Sequence, residues 1–185
     1  WLTSVLADWS PCPGVCGGLV CEGALSSSSQ LLVCGAHLDA MVNIVVYNPM
    51  CAHFLRLVSI AQELSNVAVI GLPGTSRRQD IFFGKCRKSF VQNFQHFEWG
   101  WTPQPGINKA CGVSLLIRKD VFLPKTLNAI FSPPVNLTGR AGAVRYKSST
   151  YDVLCMVLYV APNTHPKFNK CNIQLFEWAL RIRKK

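Results

Sequence analysis

A series of short apolar runs, none longer than a strand, limits what this chain can fold into. Val42, Ile44, Val45, Val46 and Tyr47 form a β-branched run that stops at Asn48-Pro49. A second, Val67 to Ile70, ends at Gly71 and Pro73-Gly74, and a third spans Gly112 to Ile117 before Arg118-Lys119-Asp120. Ala143 to Tyr146 and Tyr151 to Tyr159 flank the polar link Lys147 to Thr150, which predicts an antiparallel pair. Runs this short, rich in branched residues and bounded by turn formers, belong to buried strands. The longest near-continuous one, Met41 to Tyr47, falls well under the roughly 18 residues of a membrane-crossing helix, so no membrane span is expected.

Two helical patterns interrupt the strands. Phe54, Leu55, Val58, Ala61, Gln62 and Leu64 recur at helical spacing, with Arg56, Ser59 and Glu63 expected to turn outward. Ile173, Leu175, Phe176, Ala179, Leu180 and Ile182 predict a second helix starting near Asn169 or Asn172 and finishing among Arg181, Arg183, Lys184 and Lys185, where cations complement the helix dipole. Strands mixed with amphipathic helices predict an α+β fold. The first 38 residues, with Pro11, Pro13, Gly14 and the serines 26–29, show no sustained period and are expected to form a loosely structured leader; 39–185 is expected to be the domain.

Charge follows the same division. Residues 1–55 hold Asp8, Glu22 and Asp39 with no Lys or Arg; the remainder holds all 19 bases and six acids, 19 − 6 = +13. A segment so basic suits polyanions and speaks against acidic disordered tails. Nine cysteines at irregular spacing, with no C-x-x-C pair, match neither a zinc site nor an even-numbered disulfide framework. They predict reduced, mostly buried thiols and an intracellular protein, nuclear or cytoplasmic.

Four segments together resemble the endonuclease/exonuclease/phosphatase superfamily, nearest its retrotransposon-type and apurinic endonuclease branch. Asn43 to Asn48 resembles the first strand with its terminal Asn, and Val67 to Thr75 (VAVIGLPGT) the strand that ordinarily ends Gln-Glu-Thr. Asn108 to Asp120 (NKACGVSLLIRKD) resembles the following strand, and Tyr159 to Thr164 (YVAPNT) the Tyr-Ala-Pro-Asn strand end, with Val160 inserted. The resemblance covers about 39–185. It implies a four-layer αββα sandwich, two packed sheets flanked by helices, of which this sequence is expected to be an incomplete, N-terminal part. It also implies hydrolysis of phosphate esters, with nucleic acid as the expected substrate and Mg²⁺ as cofactor, because a hard cation held by carboxylates stabilises phosphate charge while water attacks.

By that resemblance Asn48, Tyr159 and Asn163 are the candidate catalytic residues, and Arg77 and Arg78 the candidate phosphate contacts at the cleft rim. Each has a plainer reading: Asn48 and Asn163 sit in Asn-favouring turns, Tyr159 can pack a strand end, and paired arginines are often a solvated loop. The metal-binding carboxylate is replaced. Gly74 stands where the family has Glu, and Asp80, six positions on, does not take its place without remodelling the loop. The later Asp-x-Asn and Asp-His motifs do not occur before Lys185. The expectation is therefore a hydrolase-like chain with little or no activity; the alternatives are a non-catalytic, basic nucleic-acid-binding module and a degenerate fragment.

Overall fold

The computed structural model describes residues 3–5, 29–31, 44–46, 59, 62–64, 66–76, 93–101, 111–160 and 166–184. Nine strands and one long helix are placed: β1 (Thr3–Val5), β2 (Ser29–Leu31), β3 (Ile44–Val46), β4 (Val69–Pro73), β5 (Phe94–Trp99), β6 (Val113–Arg118), β7 (Leu127–Phe131), β8 (Ala141–Lys147), β9 (Asp152–Leu158) and α1 (Pro166–Arg183). Within 1–38, β1 and β2 pair in parallel.

Two larger sheets make the body of the fold. The first has the order β3-β4-β6-β5, with β3 and β4 parallel and the other pairs antiparallel; the second, β7-β8-β9, is antiparallel throughout. Register decides which side chains meet. Val69, Val113, Leu115 and Ile117 of the first sheet share a buried cluster with Val144, Tyr146, Val153, Cys155 and Val157 of the second, so the sheets pack face to face. The outer face of the second sheet, through Ala141, Ala143, Leu154, Met156 and Leu158, is covered by Leu175, Trp178, Ala179 and Ile182 of α1. The outer face of the first buries Val67, Ile70, Leu72, Phe94 and Leu116, with Leu64 and Val45 packed against them. A strand enclosed on both faces reads as a continuous apolar run, which is why Val113 to Ile117 shows no alternation.

The α+β class holds, and so does the hairpin of β8 and β9. Its turn is closed by Ser148 N–H donating to Tyr151 O (2.8 Å), while the Ser148 hydroxyl oxygen accepts from the Thr150 and Tyr151 N–H groups at 3.1 Å. Three features differ from the expected pattern. Strand β5 lies within what reads as a mixed aromatic and polar stretch; its inward row is Gln95, Phe97 and Trp99, and Gln95 is tolerated there because its Nε2 donates to Phe122 O at 3.0 Å. Strand β7 has a register irregularity between Leu127 and Ala129 that breaks its alternation. Helix α1 begins at Pro166, earlier than Asn169, as suits a proline in a first helical turn.

Candidate functional site

One end of the sandwich collects the strand termini that carry the sequence likeness. Pro73 pairs with Val113 and Trp99 pairs with the same residue from the other side, so the ends of β4 and β5 and the start of β6 lie abreast. Three backbone bonds extend this row into the second sheet: Thr75 N–H to Gly112 O (2.9 Å), Gly112 N–H to Gly139 O (2.6 Å) and Tyr159 N–H to Arg140 O (2.7 Å). Trp101 closes the corner by donating its indole N–H to Ser76 O at 3.2 Å.

Gly74 is buried in the turn after β4 with φ 73°, and Ser76 follows at φ 55°. Left-handed backbone at position 74 suits glycine and disfavours Glu, which lacks the local side-chain bonds that let Asn or Asp adopt it. Thr75, beside it, is buried and its hydroxyl has no hydrogen-bond partner.

Tyr159 is buried at the end of β9, its ring in the cluster between the sheets with Val46, Trp101 and Cys111. Its backbone bond to Arg140 puts it at the same end as Gly74. Asn48, Asn163, Arg77 and Arg78 lie outside the described residues, as does Asp80.

Arg140 is a residue that the sequence likeness does not point to. It is 6% exposed; its Nη2 donates to Asn172 Oδ1 of α1 at 3.2 Å, and its Nε has no partner. A guanidinium so enclosed costs several kcal/mol unless its charge is met. The single amide oxygen of Asn172 does this incompletely, and an anion would complete it. The available signal was compositional: Gly139-Arg140-Ala141-Gly142 sets one long cation among residues too small to cover it.

A cavity of about 410 Å³ adjoins this end, between the second half of β5 and residues 130–139; His96, Glu98, Trp99, Ser132, Thr138 and Gly139 are among its walls. His96 Nε2 and Glu98 Oε2, both on buried side chains, are 3.7 Å apart. The pair lies on the outer face of the first sheet, opposite Leu116 and Ser114, whereas Tyr159 faces the inner core.

The described strand termini, 73–76, 100–101, 111–112, 139–140 and 159–160, contain no Asp or Glu. Among the described residues no group of three or more His, Cys, Asp or Glu side chains comes together. Hydroxyl, guanidinium and amide groups suit a phosphate oxygen; next to a buried cation they do not suit Mg²⁺, which needs anionic oxygen ligands. No helix among the described residues is long and apolar enough to cross a membrane. No family model matches the chain, and no curated protein matches it at a significant level.

Proposed function

We propose that this protein recognises phosphate esters, nucleic acid foremost, on an endonuclease-like scaffold and does not hydrolyse them. The observation that carries this reading is Arg140, a buried guanidinium with an unpartnered Nε at the sandwich end that also holds Gly74, Thr75 and Tyr159. A phosphate oxygen would meet the charge and the orphaned Thr75 hydroxyl is a further donor at the same end. Turnover by the family chemistry needs a carboxylate-held metal, and the left-handed turn at Gly74 supplies none. The superfamily resemblance provides the scaffold, and the four-layer αββα arrangement belongs to this proposal. The buried outer face of the first sheet, with Leu64 against it next to helical Gln62 and Glu63, supports a helical fourth layer. The buried thiol of Cys155, held in no disulfide, accords with an intracellular setting.

The test combines binding with turnover. With about four phosphates contacted, affinity for duplex DNA falls on the order of a hundredfold between roughly 50 and 200 mM salt. It is not strengthened by Mg²⁺, and Arg140→Gln weakens it while Arg140→Lys retains part. Plasmid nicking by the chain in Mg²⁺, abolished by Asn48→Ala, would show a working hydrolase instead. No binding at low salt would remove the reading altogether.

A further inference from the structure

Arg140 is packed in from several directions. Its N–H donates to Leu137 O at 3.0 Å, and its carbonyl oxygen accepts from Tyr159 N–H at 2.7 Å. Beside it, Gly139 leaves no room for a Cβ, which would lie 2.7 Å from Trp101 Cβ and 2.8 Å from Trp101 Cα. Asn172 of α1 engages Nη2 from the helix side. What stays open is narrow: Arg140 is 6% exposed and Thr75 4%, yet the Nε of the first and the hydroxyl of the second have no partner. Two backbone hydrogen bonds, Thr75 to Gly112 and Gly112 to Gly139, join the segments that carry them.

Enclosure of this kind selects among phosphates. A phosphate inside a strand is esterified on two sides and carries about one negative charge. It meets a protein sideways, with nucleic acid running on past it in both directions, which suits an exposed cation and not an enclosed one. A phosphate at a strand end has a single ester link, three unesterified oxygens and roughly 1.5 to 2 negative charges. It can enter end-on through a narrow opening. It also brings the larger charge to a guanidinium whose burial is costly unless that charge is met, and its oxygens offer Arg140 Nε and the Thr75 hydroxyl separate acceptors.

We infer that Arg140 and Thr75 take the terminal phosphomonoester of a nucleic-acid strand rather than a phosphodiester within it, an assignment that rests on the phosphate reading of this site. Internal phosphates then supply the salt-sensitive part of the affinity that does not depend on strand ends.

Anisotropy of the whole chain with one short blunt duplex in three forms tests this: hydroxyl at every end, a single 5′-phosphate, or a single 3′-phosphate. At least one phosphorylated form is expected to bind about tenfold tighter than the hydroxyl form. Arg140→Gln abolishes that preference. Thr75→Val reduces it while raising the melting temperature, since valine removes a buried hydroxyl that has no partner. The preference is a ratio of two affinities measured on one sample, so a partly unfolded variant still reports it. Equal binding of all three forms, weakened alike by Arg140→Gln, overturns the inference and leaves the phosphate reading standing. A preference that survives Arg140→Gln overturns it by placing the strand end elsewhere, and no binding of any form removes both. A nucleoside monophosphate that binds as tightly as the phosphorylated duplex would assign the site to free mononucleotides and overturn the strand end as its ligand.

Discussion

At the scale of single residues, backbone conformation and burial decide what this chain can do at positions where residue type alone is ambiguous. Gly74 stands where the resemblance would place a carboxylate, and its φ of 73° is backbone that suits glycine. Introducing an acid by Gly74→Glu is expected to destabilise the domain by about 1–3 kcal/mol without producing Mg²⁺-dependent nicking. Urea denaturation and the plasmid assay check the two halves, and Gly74→Ala isolates the backbone share of the cost. Arg140 is the converse case, a cation kept where burial penalises it. Tyr146 adds a second such cost: its hydroxyl is buried between the sheets without a partner, and burial pushes its pKa up, so it stays a neutral phenol.

Among the elements, the β8–β9 hairpin is the most fully specified locally. Its register brings Asp152 opposite Lys147, and Arg145 clamps the Asp152 carboxylate with Nε and Nη2 at 2.6 and 2.7 Å, with Lys147 Nζ at 3.4 Å. The Arg145 hydrogen bonds, aided by the charges of Arg145 and Lys147, hold the Asp152 pKa below the usual carboxylate value. A lowered folded-state pKa contributes stability at neutral pH that is lost as pH falls through the unfolded and then the folded value. Asp152→Asn is therefore expected to cost about 0.5–1 kcal/mol at pH 7, given its partial exposure, and almost nothing once the carboxyl is protonated in acid. Urea midpoints measured across pH would show the two curves converging. Packing between elements is set more sharply. A Cβ on Gly142 would overlap the six-membered ring of Trp99, so the glycine in β8 exists to admit that indole between the sheets.

For the whole molecule, the consequence of two sheets sharing one core is cooperativity. Cys155 is fully buried in that shared cluster, and burial pushes its thiol up to about 12, so it neither titrates nor meets reagents in the folded state. Its alkylation is expected to coincide with the global unfolding transition followed by tryptophan fluorescence. Modification in native buffer would mean that the sheets part without unfolding. What the residues settled by themselves is the local order: β-branched runs at 44–46 and 69–70, the continuous run of β6, the hairpin at 148–151, and the basic bias after residue 55. These follow from side-chain shape, turn chemistry and charge, which act over a few positions. Strands β5 and β7 were hidden because their inward positions include Gln95, satisfied by a carbonyl 27 residues away, and a register irregularity that breaks period 2. Half of the apolar positions that marked α1 as a buried helix face outward, since periodicity records amphipathicity but not which side the sheet will cover. Of the residues the sequence singled out, Gly74 and Tyr159 lie at one end of the sandwich, joined through Gly112, Gly139 and Arg140. That junction, and the unpaired charge of Arg140 within it, was decided by tertiary structure alone. Burial and hydrogen-bond satisfaction are properties of which distant segments meet, and no local pattern encodes them.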